Sequence, residues 1–421
     1  MTPTELSPEQ AVALLKPGMR VFIQGMGNEP LAFRAALESA PHRADGVTFI
    51  GVMVPGFNDF DYAGLHPGAR GLGMFVSPAV RKSFEAGRFE HLPISYAGMD
   101  LWLRQSEPLD LAVLQCAPPD ASGRCSFGLN ADFGAVAAAR SRAVIAQVNP
   151  QFPVNPHDEG VRFDALAGII RQATPLPLTP SGAGDPQLDL VAGHAAALVR
   201  DGDTIQIGIG KVQAAIMRRL GDRNDLGLHS GVLSDEVAAL ITGGQMTGAA
   251  KAIDCGLAVT MAAGGTAPTH AIMADPRVAL RPAAYTHAAR ILLQLPNLVC
   301  LNSALEVDLF GQVNGESANG RLVSGTGGAG DFTGAARFMP GARAVIALPA
   351  ATPSGKSRIV PLLALPPSLR RADADVVVTE HGVAKLRDLT LDGRADALIQ
   401  IAAPAQRDAL REAWRDLRKR L

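Results

Sequence analysis

Two distant stretches of this chain repeat one pattern, and the repeat limits what the whole can fold into. Val21-Phe22-Ile23-Gln24-Gly25-Met26-Gly27 and Thr204-Ile205-Gln206-Ile207-Gly208-Ile209-Gly210 are each a short apolar run entering Gly-x-Gly. Each is followed by a helix-like stretch, Leu31 to Leu37 in the first copy and Ala214 to Leu220 in the second. Further on, Leu111 to Leu114 leads to Asp120 and Gly123, as Leu298 to Leu301 leads to Asp308 and Gly311. Gly25 precedes Asp120 by 95 residues and Gly208 precedes Asp308 by 100, as a duplicated α/β unit would have it. Such a duplication suggests a site where the copies meet, without naming its chemistry.

At 421 residues the chain has room for two or three domains of about 150 residues each. The segment Thr174 to Pro186 holds four Pro and two Gly in thirteen residues, which neither a helix nor a central strand tolerates. The expected division is therefore a domain over 1–175, a linker over 176–186 and a second domain over 187–421. Runs such as Val47 to Val52, Ala143 to Val148, Ala344 to Leu348 and Asp375 to Thr379 are apolar on both faces, as in buried parallel strands. The predicted class is α/β, with two similar domains of mainly parallel open sheets flanked by helices. Ligands in such folds bind beyond the carboxyl ends of the strands. Glycines cluster there.

Charge excludes one class of partner. Lys plus Arg total 39 against 40 Asp plus Glu, so no concentrated basic face argues for nucleic acid. The four cysteines, Cys116, Cys125, Cys255 and Cys300, lack zinc-ligand spacing and read as small buried apolar residues, Cys116 and Cys300 at corresponding positions of the two halves. No metal site is expected. No leader pattern opens the sequence and no apolar run reaches ~18 residues, so no membrane partner is expected and the expected location is the cytoplasm. Ser7, Pro8 and Gln10 read as N-cap, N1 and N3 of a helix running to Leu15. The basic end Arg415 to Arg420 reads as the close of a C-terminal helix.

Four segments carry groups suited to chemistry. The Gly-x-Gly turns let a ligand approach the backbone ahead of a helix N-terminus, but neither completes Gly-x-Gly-x-x-Gly, because Pro30 and Gln213 stand at the last position. A dinucleotide site is disfavoured, and structural turns remain open. Ser324 to Phe332 places four glycines in six residues, Gly325, Gly327, Gly328 and Gly330, ahead of a helical stretch from Thr333 to Arg337. Such a loop offers main-chain donors for a phosphate or an oxyanion. Glu380 ends an apolar run, where a carboxylate suits acid/base work once partly desolvated; a first-turn acid for a helix over Val383 to Leu389 fits equally well. His229-Ser230-Gly231 follows a short strand, Leu226 to Leu228, without the Gly-x-Ser-x-Gly elbow of a serine hydrolase.

Taken together these motifs resemble the acetyl-CoA hydrolase/transferase family of class I coenzyme A transferases, a group that includes 4-hydroxybutyrate CoA-transferases. The strongest stretches are Asn302 to Val313, Ser324 to Phe332 and Val378 to Leu386; Ala117 to Gly128, Val148 to Pro150 and Gly208 to Gly210 add to them. The resemblance spans nearly the whole chain. It implies an active site at the interface of the two domains, a small acyl-CoA as substrate, a carboxylate as CoA acceptor, and no resident cofactor. In such enzymes a glutamate attacks the thioester, giving a mixed anhydride and then an enzyme-bound CoA thioester. By position Ile209 and Gly328 (or Gly327) match the oxyanion donors, Glu380 a second active-site acid, and Gly208, Gly210 and Gly325 the surrounding binding loops. A homodimer fits enzymes of this type, with no residue pattern here to support it.

The sequence departs from the family at two positions. The nucleophilic glutamate belongs where Gly231 stands, and Asp235 follows at the expected offset. The family also tends to place Asn after Tyr-Thr, whereas Tyr285-Thr286 is followed by His287. Glycine cannot form the covalent intermediate. Three readings follow: an enzyme in which water enters beside Gly231 with Glu380 or His287 as base, an acyl-CoA-binding protein without turnover, or a subunit whose partner supplies the missing acid.

Overall fold

The computed structural model describes residues 2–182 and 184–421; Met1 and Ala183, the latter inside the expected linker, lie outside the described residues. The chain forms two compact units, Met1–Pro180 with Val259–Thr286, and Ser181–Ala258 with His287–Leu421. The sequence predicts one cut near 176–186, whereas the first unit also takes in the later segment Val259–Thr286.

In the first unit eight strands form one parallel sheet, in the order Thr4–Glu5, Gly168–Arg171, Ser141–Val148, Leu109–Cys116, Arg20–Ile23, Thr48–Gly51, Arg70–Gly73 and Phe89–His91. Val21, Ile23, Val113 and Ile145 form one core with Ala11 and Val12 of the helix Pro8–Val12 and with Phe33 and Leu37 of Leu31–Ser39. The capping box of Ser7 and Gln10 is present, and the helix ends at Val12, short of the expected Leu15.

The second unit repeats the arrangement. Its strands run Gly227–Leu233, Thr204–Ile207, Leu298–Ser303, Arg343–Ala347, Val376–Thr379 and Gly382–Lys385, parallel except for the last. The strand before each Gly-x-Gly is central: Ile23 pairs with Val113 in one sheet, and Ile207 with Leu301 in the other. The fold class read from sequence, α/β with mainly parallel sheets, is the one found.

The Asp-x-x-Gly echo is a turn built twice. Asp120 Oδ1 accepts the N–H groups of Ser122 and Arg124 at 2.8 and 3.0 Å, and Asp308 Oδ1 those of Phe310 and Gln312 at 3.1 and 2.9 Å. Gly123 and Gly311 take φ of +78° and +85°, which glycine adopts without strain. Three details differ from expectation. Cys255 is exposed. Cys300 pairs with Gln206 as Val113 pairs with Ile23, so its counterpart is Val113 rather than Cys116. Val383 to Leu389 opens as a hairpin strand, Gly382–Lys385, because its residues pair back onto Val376–Thr379.

Candidate functional site

The candidate site residues named from sequence all lie in the second unit, most of them at the carboxyl edge of its sheet. The strand Thr204–Ile207 is buried, and Gly208 N–H still donates to Leu301 O at 3.1 Å. The chain then leaves the sheet. Ile209 is half exposed, and its N–H meets no acceptor among the described residues. Gly210 takes φ +138° and caps the helix Lys211–Arg218. A Cβ there would stand 2.9 Å from Gln213 Oε1, a buried acceptor without a hydrogen-bond partner among the described residues. The turn thus needs glycine for its conformation.

His229, Ser230 and Gly231 lie inside the strand Gly227–Leu233, longer than the three-residue run expected. Ser230 Oγ donates to Ile207 O at 3.0 Å and accepts from Ile207 N–H at 3.2 Å and Val232 N–H at 3.3 Å. Its hydroxyl braces two strands and is not poised as a nucleophile. Gly231 follows, level with Gly208 when the pairs Thr204–Gly227 and Ile205–Leu228 are continued along the strands.

The space beside Gly231 is taken by an imidazole. A Cβ built on Gly231 would lie 3.1 Å from His287 Cε1 and 3.2 Å from Nε2. His287 is 3% exposed, and the Phe332 ring meets it edge-on with centroids 4.8 Å apart. Burial holds the His287 pKa down at about 3, so the ring is uncharged at neutral pH.

Phe332 ties this pair to the glycine loop. Val323 and Ser324 N–H both donate to Glu316 O, at 2.8 and 3.2 Å, fixing the start of the loop that carries Gly325. Gly327 takes φ +59°, and Gly328 caps the helix Ala329–Ala336, on whose first turn Phe332 stands. The Gly328 N–H meets no acceptor among the described residues. Gly328 and Phe332 are one helical turn apart, about 6 Å along the axis. Gly231, His287 and the glycine loop therefore form one cluster.

Glu380 stands apart from it. The strand Val376–Thr379 is four places from Gly227–Leu233 in the sheet, which is about 19 Å at the usual strand spacing of ~4.8 Å. Asn302, Ile346 and Val377 share a row, so Glu380 also lies three residues beyond it. Its carboxylate is 10% exposed and occupied: Oε1 accepts from Gln187 Nε2 at 2.7 Å, and Oε2 from Ala350 N–H at 2.8 Å. His381 Nε2 approaches Oε1 at 3.7 Å. By strand count, Glu380 and Gly231 stand at separate places along the carboxyl edge of the sheet.

Sequence reasoning missed Phe332 as the link, Gln187 and Ala350 as the holders of Glu380, and the contact between Gly231 and His287. The glycine at 231 and the histidine at 287, both unusual beside the motifs around them, were the available signal. Among the described residues no group of three or more His, Cys, Asp or Glu side chains is placed to hold a metal ion, and no helix is long and apolar enough to cross a membrane.

Residues 4–177 match the acetyl-CoA hydrolase/transferase N-terminal domain, and residues 265–414 match the C-terminal domain of the same name. A 4-hydroxybutyrate coenzyme A transferase from Clostridium kluyveri is 32% identical over 411 residues, 96% of each chain. The crystal structure of RipA from Yersinia pestis superposes with a TM-score of 0.92 at 27% identity, covering 99% of this chain and 98% of that one. A 4-hydroxybutyrate CoA-transferase from Porphyromonas gingivalis superposes at 0.82 with 28% identity, with coverages of 99% and 98%.

Proposed function

The chain belongs to the acetyl-CoA hydrolase/transferase family, and from that premise we propose that it cleaves the thioester of a small acyl-CoA by direct attack of water. It is an enzyme of the CoA-transferase or acyl-CoA hydrolase type; within that type the route is the open point. One observation carries the proposal: the imidazole of His287 fills the space beside Gly231, with Nε2 3.2 Å from the Cβ position. A carboxylate projecting from that spot could hold CoA covalently, and neither glycine nor imidazole supplies one.

In the proposed step, a water held by His287 Nε2 attacks the carbonyl carbon as the ring takes its proton. The tetrahedral oxyanion accepts from the N–H groups of Ile209 and Gly328. Its collapse breaks the C–S bond, and the imidazolium returns the proton to the departing CoA sulfur, leaving a carboxylic acid and CoA. A buried neutral imidazole is a weak base in the resting enzyme, and the negative charge growing beside it favours its protonated form. Each oxyanion donor is worth about 10²–10³ in rate. Water and the chain's own groups complete the reaction.

The test is acetyl-CoA with a thiol reagent, in ¹⁸O-labelled water, with and without an added carboxylate. Acceptor-independent CoA release with label in the acetate is expected. His287→Ala is expected to lower that rate by about 10²–10⁴ while acyl-CoA binding persists. Release that strictly needs an acceptor, or binding without turnover across a panel of acyl-CoAs, would overturn the reading.

A further inference from the structure

The opposite edge of the second unit's sheet carries a positively charged cavity that the thioester chemistry does not use. It holds about 230 Å³, is open to solvent, and is lined by Arg337, Phe338, Asp375, Arg387 and Arg394 together with two alanines. Asp375 immediately precedes the strand Val376–Thr379, at whose other end stands Glu380, about 16 Å away at ~3.3 Å per residue. The cavity is therefore distinct from the glycine-rich edge.

Its charges are not balanced. Asp375 is the one carboxylate in the wall, and it is satisfied by Arg387, through Nε at 2.9 Å, and by Ala344 N–H at 2.9 Å. Arg337 shares Asp373, at 3.3 Å, with Arg370. Arg394 makes no hydrogen bond to a carboxylate among the described residues: it donates to the carbonyl oxygens of Arg371, at 2.6 Å, and Phe310, at 3.5 Å, and the charge of Asp375 favours it only in part. Burial, and then the like charge of Arg371, pull its pKa below the ordinary arginine value. A guanidinium in that state gains most from an incoming anion. On the rim Phe338 is 66% exposed, its ring 4.5 Å from the Arg337 guanidinium. One exposed phenylalanine means little alone; beside three guanidinium groups it supplies a stacking face for a planar base.

We propose that this cavity binds a phosphorylated nucleotide, its phosphates held by Arg394 and Arg337 and its base laid on Phe338. Two sources offer that chemistry, a free nucleotide such as ADP and the nucleotide portion of CoA. The inference is independent of the route of thioester cleavage. It gains interest from position: the helix Ala329–Ala336 starts at the glycine loop and ends at Arg337, so an occupant here would touch the far end of an element that carries the candidate oxyanion donor.

Titration calorimetry on the full chain with ADP, pyrophosphate and CoA tests it. ADP and pyrophosphate are expected to bind saturably below about 1 mM, more weakly as salt rises. Arg337→Gln should weaken both by roughly tenfold, and Phe338→Ala should weaken ADP by about as much while sparing pyrophosphate. Displacement of ADP by CoA would identify CoA as the source, and simultaneous binding a free nucleotide; both support the site. Arg394→Gln is the strongest variant, but Arg394 also ties two main-chain carbonyls, so Arg337→Gln and Phe338→Ala are the deciding pair. Absence of ADP and pyrophosphate binding at several millimolar, or ADP binding unchanged in both Arg337→Gln and Phe338→Ala, would overturn the proposal.

Discussion

Gly231 and His287 pack as one unit. A side chain at 231 must begin 3.1 Å from a ring carbon of His287, and that ring is held by Phe332. Gly231→Glu by itself is therefore expected to cost about 1–3 kcal/mol through overpacking, and to give no transfer activity. Combined with His287→Asn, which restores the residue the family tends to carry there, it should gain acceptor-dependent CoA exchange. Denaturation midpoints and exchange assays on the single and double variants check both statements; full transfer by the single variant would break the pairing. The gap at 231 could be read from the sequence as a missing acid. What fills it could not, because the two positions are 56 residues apart and meet only through tertiary packing.

Elements were legible where their residues settle one structure locally. Runs such as Ala143 to Val148 are apolar on both faces and became buried parallel strands. Val383 to Leu389 carried no such signature, and only pairing with Val376–Thr379 made its first part a strand. The repeated Asp-x-x-Gly was visible as a repeat, yet its role as a turn depended on side-chain-to-backbone bonds that spacing cannot display. The twin turns differ in setting, which separates two similar substitutions. A Cβ at Gly123 meets nothing within 4 Å, whereas at Gly311 it meets Arg394 and Leu386 at 3.1 Å. Both residues have positive φ, so Gly123→Ala should cost about 1–2 kcal/mol in stability. Gly311→Ala should cost more, and equal losses in chemical denaturation would contradict that.

At the scale of the molecule, two buried groups pull pH dependence in opposite directions. His287 has its pKa lowered to about 3 by burial, below the unfolded value of ~6.5. Its contribution is full above ~6.5 and is lost as pH falls toward 3, at up to about 1.4 kcal/mol per pH unit. Asp132 has its pKa raised to about 6, also by burial. The unfolded chain ionises near ~3.9 while the folded chain keeps its proton, so that contribution is full below ~3.9 and is lost as pH rises to about 6. His287→Asn should flatten the acid limb of a stability-against-pH curve, and Asp132→Asn should raise stability above pH ~6 relative to the unchanged protein. Urea melts across pH 4–8 would read both, and parallel curves for all three proteins would exclude the assignment.

The segment Val259–Thr286 completes the first unit long after the linker has passed. Asn155 Nδ2 donates to Met273 O at 2.6 Å and Val278 O at 2.9 Å, Ala131 N–H to Met261 O at 3.0 Å, and Ala283 N–H to Asp132 O at 3.0 Å. During synthesis Asn155 Nδ2, Ala131 N–H and Asp132 O lack their native partners until residue 283 has left the ribosome. By then the strands Thr204–Ile207 and Gly227–Leu233 are already outside the tunnel. The amino-terminal half must therefore wait, unfinished, while its successor begins to emerge, a delay that makes the nascent chain dependent on protection from aggregation.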